Sequence, residues 1–238
     1  MTAEVPLTGG RVTAGVVLIG DEVRRPMGPH SEFTNAVLRE LDAAGFTGAP
    51  RFLGLDEQGR ERLSYLHGWV PPDLAQDEWT DEQLVAAAEL TRAFHDALAG
   101  SPLAGGEETV CHNDLGPCNT VHVDGLPAAF IDWDTVRPGP RVLDLAHAIW
   151  RWTVISDTDA LPLGEQVRRT RVMCDAYGDP VDPSCVPDAI VANQERVIAN
   201  IRREVDAGSL EWQRPLDWHR GERAWLAAHK RAFGRGMR

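Results

Sequence analysis

Residues 110–134 constrain this chain more than any other stretch. They read Val110-Cys-His112-Asn-Asp114-Leu-Gly-Pro-Cys-Asn119-Thr-Val-His-Val-Asp-Gly-Leu-Pro-Ala-Ala-Phe-Ile-Asp132-Trp-Asp134. Val121–Val123 and Ala128–Ile131 read as short strands on either side of Asp124-Gly125, and Asp-Gly between β-type runs is a hairpin signal. A hairpin turns the chain back on itself. Asn119, before it, and Asp132, after it, can therefore lie side by side. An amide oxygen and a carboxylate directed at one point suit a hard cation such as Mg²⁺, with phosphate oxygens around it. Asp114 lies five residues before Asn119 on a loop held by Gly116-Pro117. It is placed to take a proton from an attacking hydroxyl.

The pattern His112-x-Asp114-Leu115-x-x-x-Asn119, followed by Ile131-Asp132-Trp133-Asp134, resembles the aminoglycoside phosphotransferase and choline kinase-like family. Asp144-Leu145-Ala146 matches that family's Asp-Leu-Ala segment. The resemblance implies an α+β, two-lobed protein-kinase-like fold: a small antiparallel β N-terminal lobe with one helix, and a larger, mostly helical C-terminal lobe. It implies transfer of the γ-phosphate of ATP or GTP to a hydroxyl of a small polar molecule. In that chemistry Asp114 is the catalytic base, and Asn119 and Asp132 hold Mg²⁺. Asp134 ranks below Asp132 as a metal ligand. His112 packs beneath the catalytic loop, and Asp144 accepts hydrogen bonds from the loop backbone.

Charge narrows the partners. The chain carries 24 basic and 36 acidic residues, a net charge of −12. Nucleic-acid binding needs basic patches and is disfavoured. An acidic surface attracts a cationic small molecule, and the best-known acceptor of the family, an aminoglycoside-type antibiotic, agrees with that. Cys111, Cys118, Cys174 and Cys185 show no Cys-x-x-Cys spacing and read as free cytoplasmic thiols. The longest apolar run, Val16–Ile19, is far too short to span a bilayer. The expectation is a cytoplasmic protein with neither a membrane nor a nucleic-acid partner.

Taken in order, residues 1–66 read as the N-terminal lobe, 67–79 as a linker and 80–238 as the C-terminal lobe. Val5–Leu7, Arg11–Thr13, Ala14–Ile19 and Glu22–Arg25 alternate as strands. Thr8-Gly9-Gly10 falls where a kinase covers the phosphates, and reads equally as a hairpin turn. The resemblance asks for a cation on the third strand, leaving Arg24 and Arg25 as the phosphate-binding candidates. If Val23 faces the nucleotide base, alternation puts Arg25 on the same face and Arg24 on the other.

Ser31 reads as the cap of a helix over Glu32–Ala44, ended by Gly45. The family's acidic partner for the strand cation falls near Thr34, which is not acidic. Two further strands cover 49–55 and 62–66. By resemblance, the backbone of Ser64, Tyr65 and Leu66 contacts the purine. Thr80-x-x-Gln83 is a capping box for a helix to Ala99, in which His95 reads as a packing residue. Residues 135–141 read as an irregular loop and Asp144–Trp152 as a helix. Gln166–Tyr177, Pro187–Ala207 and Pro215–Phe233 follow as helices. Asp157, Asp159, Asp175, Glu204, Asp206, Glu211 and Asp217 are the acidic residues available to an acceptor pocket.

The departures from the family pattern support an alternative. The absent helix Glu, the sparse glycine loop and Gly139-Pro140-Arg141 in place of Gly-Asp-Pro fit a catalytically weak kinase-fold binding or immunity protein that sequesters a small molecule or peptide. The intact Asp114, Asn119 and Asp132 favour the enzyme.

Overall fold

The computed structural model describes residues 4–7, 15–72, 79–157 and 161–237. Thr8-Gly9-Gly10, the Arg11–Thr13 strand, residues 73–78 of the linker and Asp159 lie outside them.

The N-terminal part builds one sheet from β1 (Val5–Pro6), β2 (Val17–Ile19), β3 (Glu22–Arg25), β4 (Phe52–Leu55) and β5 (Glu61–Ser64). The order is β1-β2-β3-β5-β4, with every neighbouring pair antiparallel. In the β3–β5 register Arg25 stands opposite Glu61 and Arg24 opposite Arg62. Helix α1 (Ser31–Ala43) joins β3 to β4 and turns Val37, Leu38 and Leu41 into the core. Its N-cap is His30 rather than Ser31. Ser31 Oγ accepts instead from the Gly28 main-chain N–H at 2.9 Å, so the serine closes the approach turn and leaves the helix's first N–H groups alone.

The C-terminal part is helical apart from two short ladders. Helix α2 (Asp81–Leu98) starts at the expected box: Thr80 Oγ1 accepts from Gln83 N at 3.3 Å and Gln83 Oε1 from Thr80 N at 2.9 Å. Strand β6 (Thr109–Cys111) pairs with β9 (Arg137–Gly139), while β7 (Thr120–Val123) and β8 (Leu126–Phe130) form the hairpin. The hairpin turn has Asp124 at φ +52° and Gly125 at φ +83°, the left-handed pair that a two-residue turn needs. Residues 137–139 form a strand where an irregular loop is expected. The ladder has only two strands, so Pro138, which has no N–H to donate, breaks no second set of bonds.

Helices α3 (Arg141–Trp152), α4 (Leu163–Tyr177), α5 (Val186–Asp206) and α6 (Gln213–Gly236) complete the chain. α3 begins at Arg141, three residues before its expected start, because Pro140 supplies the N-cap position. Arg141 is buried and donates to Asp96 Oδ1 at 2.6 Å, which gives the Gly139-Pro140-Arg141 segment a packing role between α3 and α2.

One continuous core runs through both parts and includes Leu38, Leu84, Phe94, Leu115, Phe130, Trp133, Leu145 and Trp152. Trp133 is central to it. Its ring meets Phe94 edge-on at 5.1 Å, its Nε1–H donates to Phe130 O at 2.9 Å, and its carbonyl accepts from Thr34 Oγ1 of α1 at 3.2 Å. The start of the linker lies against the hairpin, where Trp69 and His122 exchange main-chain bonds of 2.9 and 2.7 Å. Gly68 makes this approach feasible: a Cβ there would stand 2.5 Å from His122 O.

Candidate active site

Strand β6 ends at Cys111 and delivers three residues in succession. His112 N–H donates to Asp144 Oδ2, and Asn113 N–H to Asp144 Oδ1, both at 2.7 Å. Asn113 sits at φ +67°, a left-handed position that lets successive N–H groups converge on one carboxylate. His95 Nε2 lies 3.0 Å from Asp144 Oδ2, and its Nδ1 lies 2.8 Å from the Tyr177 hydroxyl. Asp144 and His95 are fully buried. Burial pushes the Asp144 carboxyl upward, but His95, His112 and the Asn113 N–H outweigh it and hold the group below the usual carboxylate range. Asp144 is therefore an ionised pin beneath the loop. His95, Cys111 and Asp144 offer ligand atoms within 4.8 Å of one another. The Asp144 oxygens are already occupied by main-chain donors, so the cluster reads as a hydrogen-bonded support.

His112 lies under the same loop. Its Nε2–H donates to Ile131 O at 3.2 Å and its ring packs on Trp133 at 4.8 Å. Burial holds its imidazole below the ordinary histidine value.

Asp114 emerges next, with its carboxylate about half exposed. Asn119 Nδ2 donates to Asp114 O at 3.0 Å and to Asp114 Oδ2 at 2.8 Å. With its amide NH₂ used in this way, Asn119 keeps its carbonyl oxygen for another partner. Ile131 N–H donates to Asn119 O at 2.9 Å, which sets Asp132 beside Asn119. Asp132 itself takes φ +62° at the head of the short 3₁₀ turn Trp133–Thr135. Burial, then the Asp134 and Asp114 charges, push its carboxyl up to about 6, against the pull of Arg25. Crowded carboxylates beside a free amide oxygen make an all-oxygen donor set, which fits Mg²⁺.

That repulsion has a stability consequence. A carboxyl raised in the folded state favours folding while protonated, fully so below its ordinary value of about 3.9. The contribution is lost as pH rises through about 6. Asp132→Asn is expected to raise Tm by about 2–4 °C at pH 7.5, taking about 1 kcal/mol after solvent screening. The gain should vanish near pH 4, and thermal unfolding at the two pH values checks it.

Arg25 lies on the sheet face toward this cluster. Its Nε is 3.0 Å from Glu61 Oε2, and its Nη2 pairs with Asp134 Oδ1. Glu61 in turn accepts from Asn35 Nδ2 of α1 at 2.8 Å. The acidic partner missing from α1 is thus supplied by β5, directly across the ladder, and α1 contributes the amide that holds it. Cross-strand neighbours on one face touch, but they are 36 positions apart in the chain (61 minus 25). Arg24 turns to the opposite face, against Glu22 and Asp56. Of the three linker-strand candidates, Ser64 N–H is taken by Arg51 O and Tyr65 N–H by Asp21 O, both at 2.9 Å. The Leu66 backbone follows directly after them.

On the other side of Asp114, His147 Nε2 of α3 lies 3.5 Å from Asp114 Oδ1. Burial acts to raise the Asp114 carboxyl, but His147, His112 and Arg151 together hold it well below the usual range. His147 is one helical turn past Asp144, which was the available sequence signal. Of the acidic residues considered for an acceptor pocket, Asp175 pairs with Arg171 and Asp217 with Arg220, while Asp157, Glu204, Asp206 and Glu211 are exposed.

Residues 32–176 match the model of the phosphotransferase enzyme family, APH. The trifolitoxin immunity protein of Rhizobium leguminosarum bv. trifolii is 31% identical over 98% of this chain and 98% of its own length. Choline kinase from Cryptosporidium parvum Iowa II superposes with a TM-score of 0.65 at 12% identity, over 100% of this chain and 91% of that one. The GDP and kanamycin complex of APH(2″)-IIia superposes with a TM-score of 0.63 at 12% identity, over 94% of each chain.

Proposed function

The chain belongs to the phosphotransferase enzyme family, and on that premise we propose that it moves the γ-phosphate of ATP or GTP onto a hydroxyl of a small molecule. The observation that carries this reading is the Asn119 bridge. Its side chain grips Asp114 with the amide NH₂, and its main-chain oxygen takes the Ile131 N–H, next in the chain to Asp132. On this reading the arrangement holds a proton acceptor and a cation site in fixed relation.

In the proposed step the acceptor oxygen bonds to the γ-phosphorus, the bond from that phosphorus to the β,γ-bridging oxygen breaks, and the nucleoside diphosphate leaves. The hydroxyl proton passes to Asp114 Oδ1 or Oδ2. Asn119 and Asp132 hold Mg²⁺, which when bound neutralises phosphate charge. Arg25, braced by Glu61 and Asn35, steadies the phosphates. Little covalent chemistry falls to the protein, and the gain comes from positioning and charge.

Among the described residues no helix is long and apolar enough to cross a membrane, and the four cysteines are free thiols. The proposed place of action is the cytoplasm, where the nucleotide donors are.

A second reading has one specific observation in its favour. The immunity protein matched above is similar along nearly the whole chain, which fits a kinase-shaped binder that sequesters a small molecule or peptide. A coupled ADP- or GDP-release assay over a panel of hydroxylated small molecules, with nucleotide binding measured alongside, separates the two. Acceptor-dependent, Mg²⁺-dependent release establishes the enzyme. Ligand binding that needs neither Mg²⁺ nor nucleotide, with no release, establishes the binder.

A further inference from the structure

The two flanks of Asp114 carry opposite charge. On the sheet side its charge bears on Asp132, which also feels Asp134. On the α3 and α5 side lie an imidazole and guanidinium groups. His147 Nε2 lies 3.5 Å from its carboxylate. Arg151 is one helical turn beyond His147 on the same face of α3, and its charge bears directly on Asp114. Its guanidinium rests over the Trp150 ring at 5.1 Å, which orients it.

Helix α5 adds a second arginine. Asn193 Nδ2 donates to Leu143 O at 2.6 Å and ties α5 to the first turn of α3, just before Asp144. Asn193 Oδ1 accepts from Arg196 Nη2 at 3.0 Å. The guanidinium of Arg196 is half-buried, within electrostatic reach of Asp114, Asp144 and Arg137. Burial and the Arg137 charge hold it below the ordinary arginine value. Arg137 stands opposite Cys111 in the β6–β9 ladder, at the root of the catalytic loop.

None of Arg137, Arg151 and Arg196 makes an ion pair with a carboxylate among the described residues. Other arginines, such as Arg39, Arg51 and Arg214, also lack an ion pair among the described residues; what marks Arg137, Arg151 and Arg196 is their place around one loop, Arg151 one turn beyond the His147 that faces Asp114, Arg196 tied through Asn193 to the start of α3, and Arg137 opposite Cys111. Gathering them is unfavourable through mutual repulsion and lost hydration. An anion between them relieves both, and the planar guanidinium fork matches carboxylate and phosphate geometry.

We propose that the acceptor is a hydroxyl compound bearing a carboxylate or phosphate group, which Arg151, Arg196 and Arg137 hold with the hydroxyl toward Asp114. This rests on the phosphotransferase reading and departs from the aminoglycoside-type acceptor suggested by net charge. Net charge is a sum over the whole surface, whereas recognition is by the groups that line the cleft.

The test uses matched compounds: gluconate beside glucosamine, glycerol 3-phosphate beside choline, and kanamycin alone. Binding to the full chain is measured calorimetrically with Mg²⁺ and a non-hydrolysable nucleotide analogue present, so that the phosphate site is already filled. Diphosphate release is measured separately with ATP and GTP. The expected result is at least one pair whose anionic member binds about 10-fold or more tighter than its cationic partner, the scale of a charge-assisted contact. The gluconate and glycerol 3-phosphate arms tell carboxylate from phosphate. Arg196→Gln and Arg151→Gln should each weaken that binding by about 10–100-fold, and Arg196→Lys should weaken it less. Nucleotide affinity should be unchanged in all three.

No preference for the anionic member in either pair overturns the proposal, as does anion binding unaffected by both Gln variants. Turnover of the cationic compounds alone also overturns it and leaves the phosphotransferase reading intact. Anion binding that depends on the arginines, without release of diphosphate, supports the charge assignment and removes the phosphotransferase reading.

Discussion

Asp114→Asn is expected to reduce acceptor-dependent turnover by about 10²–10⁴-fold, the range of a lost general base. Nucleotide affinity should stay within a few-fold of wild type. The substitution keeps the shape of the side chain and one acceptor oxygen for Asn119 Nδ2, now 2.8 Å from Asp114 Oδ2. It removes the capacity to take a proton. Because the Asp114 carboxyl is held well below the usual range, it is ionised throughout the neutral region and does not set the acid limb of the pH profile. Asp132 is expected to set it: its carboxyl lies at about 6, and the proposed cation binding needs the ionised form, which prevails above that value. Part of the elevation comes from Asp114. The acid limit for Mg²⁺ binding should therefore move to lower pH in the variant. Diphosphate release measured against pH, with Mg²⁺·nucleotide binding by calorimetry, reads both effects. Full turnover in Asp114→Asn would remove the assigned base.

Asp144→Ala should have the largest effect on stability, about 3–5 kcal/mol, or on the order of a 10 °C fall in Tm. The carboxylate is fully buried and accepts from two successive main-chain N–H groups while facing His95. Its removal leaves buried donors without acceptors, and no water can reach them cheaply. The sign with pH follows from the lowered carboxyl. Its stabilising contribution is fully present above the ordinary carboxylate value of about 3.9 and is lost as pH falls below it. The difference between wild type and variant should therefore shrink only in acid. Thermal unfolding at pH 7.5 and below pH 4 checks this. Asp144→Asn should fall between the two, because an amide offers one acceptor and turns a donor toward an N–H.

The contrast between these residues shows what could be read in advance. Asp114, Asn119 and Asp132 were legible because their relation is carried by a short hairpin whose turn is coded by Asp124-Gly125. The helix start at Thr80 was legible because a capping box spans only four residues. Strand alternation sets Arg25 and Arg24 on opposite faces, and the structure does so. In each case the informative residues lie within one element or one turn of each other, and local backbone preference decides their geometry.

The partner of Arg25 was sought on α1, where the resemblance puts it, and came from β5. Nothing in a linear pattern says which strand will lie beside β3. His95 reads as an ordinary packing residue until α2, α3 and α4 bring Asp144 and Tyr177 to its two nitrogens. Arg137, Arg151 and Arg196 look like any other arginines of an acidic chain until β9, α3 and α5 gather them beside one carboxylate. By itself the sequence determined the fold class, the hairpin and the three polar residues at its ends, because those depend on periodicity, turn chemistry and short spacing. The tertiary structure alone decided which acid braces Arg25, what pins the loop at Asp114 and which side chains surround that carboxylate. A side chain's charge is a property of its type, but its burial and its neighbours are set by elements that meet only when the chain packs.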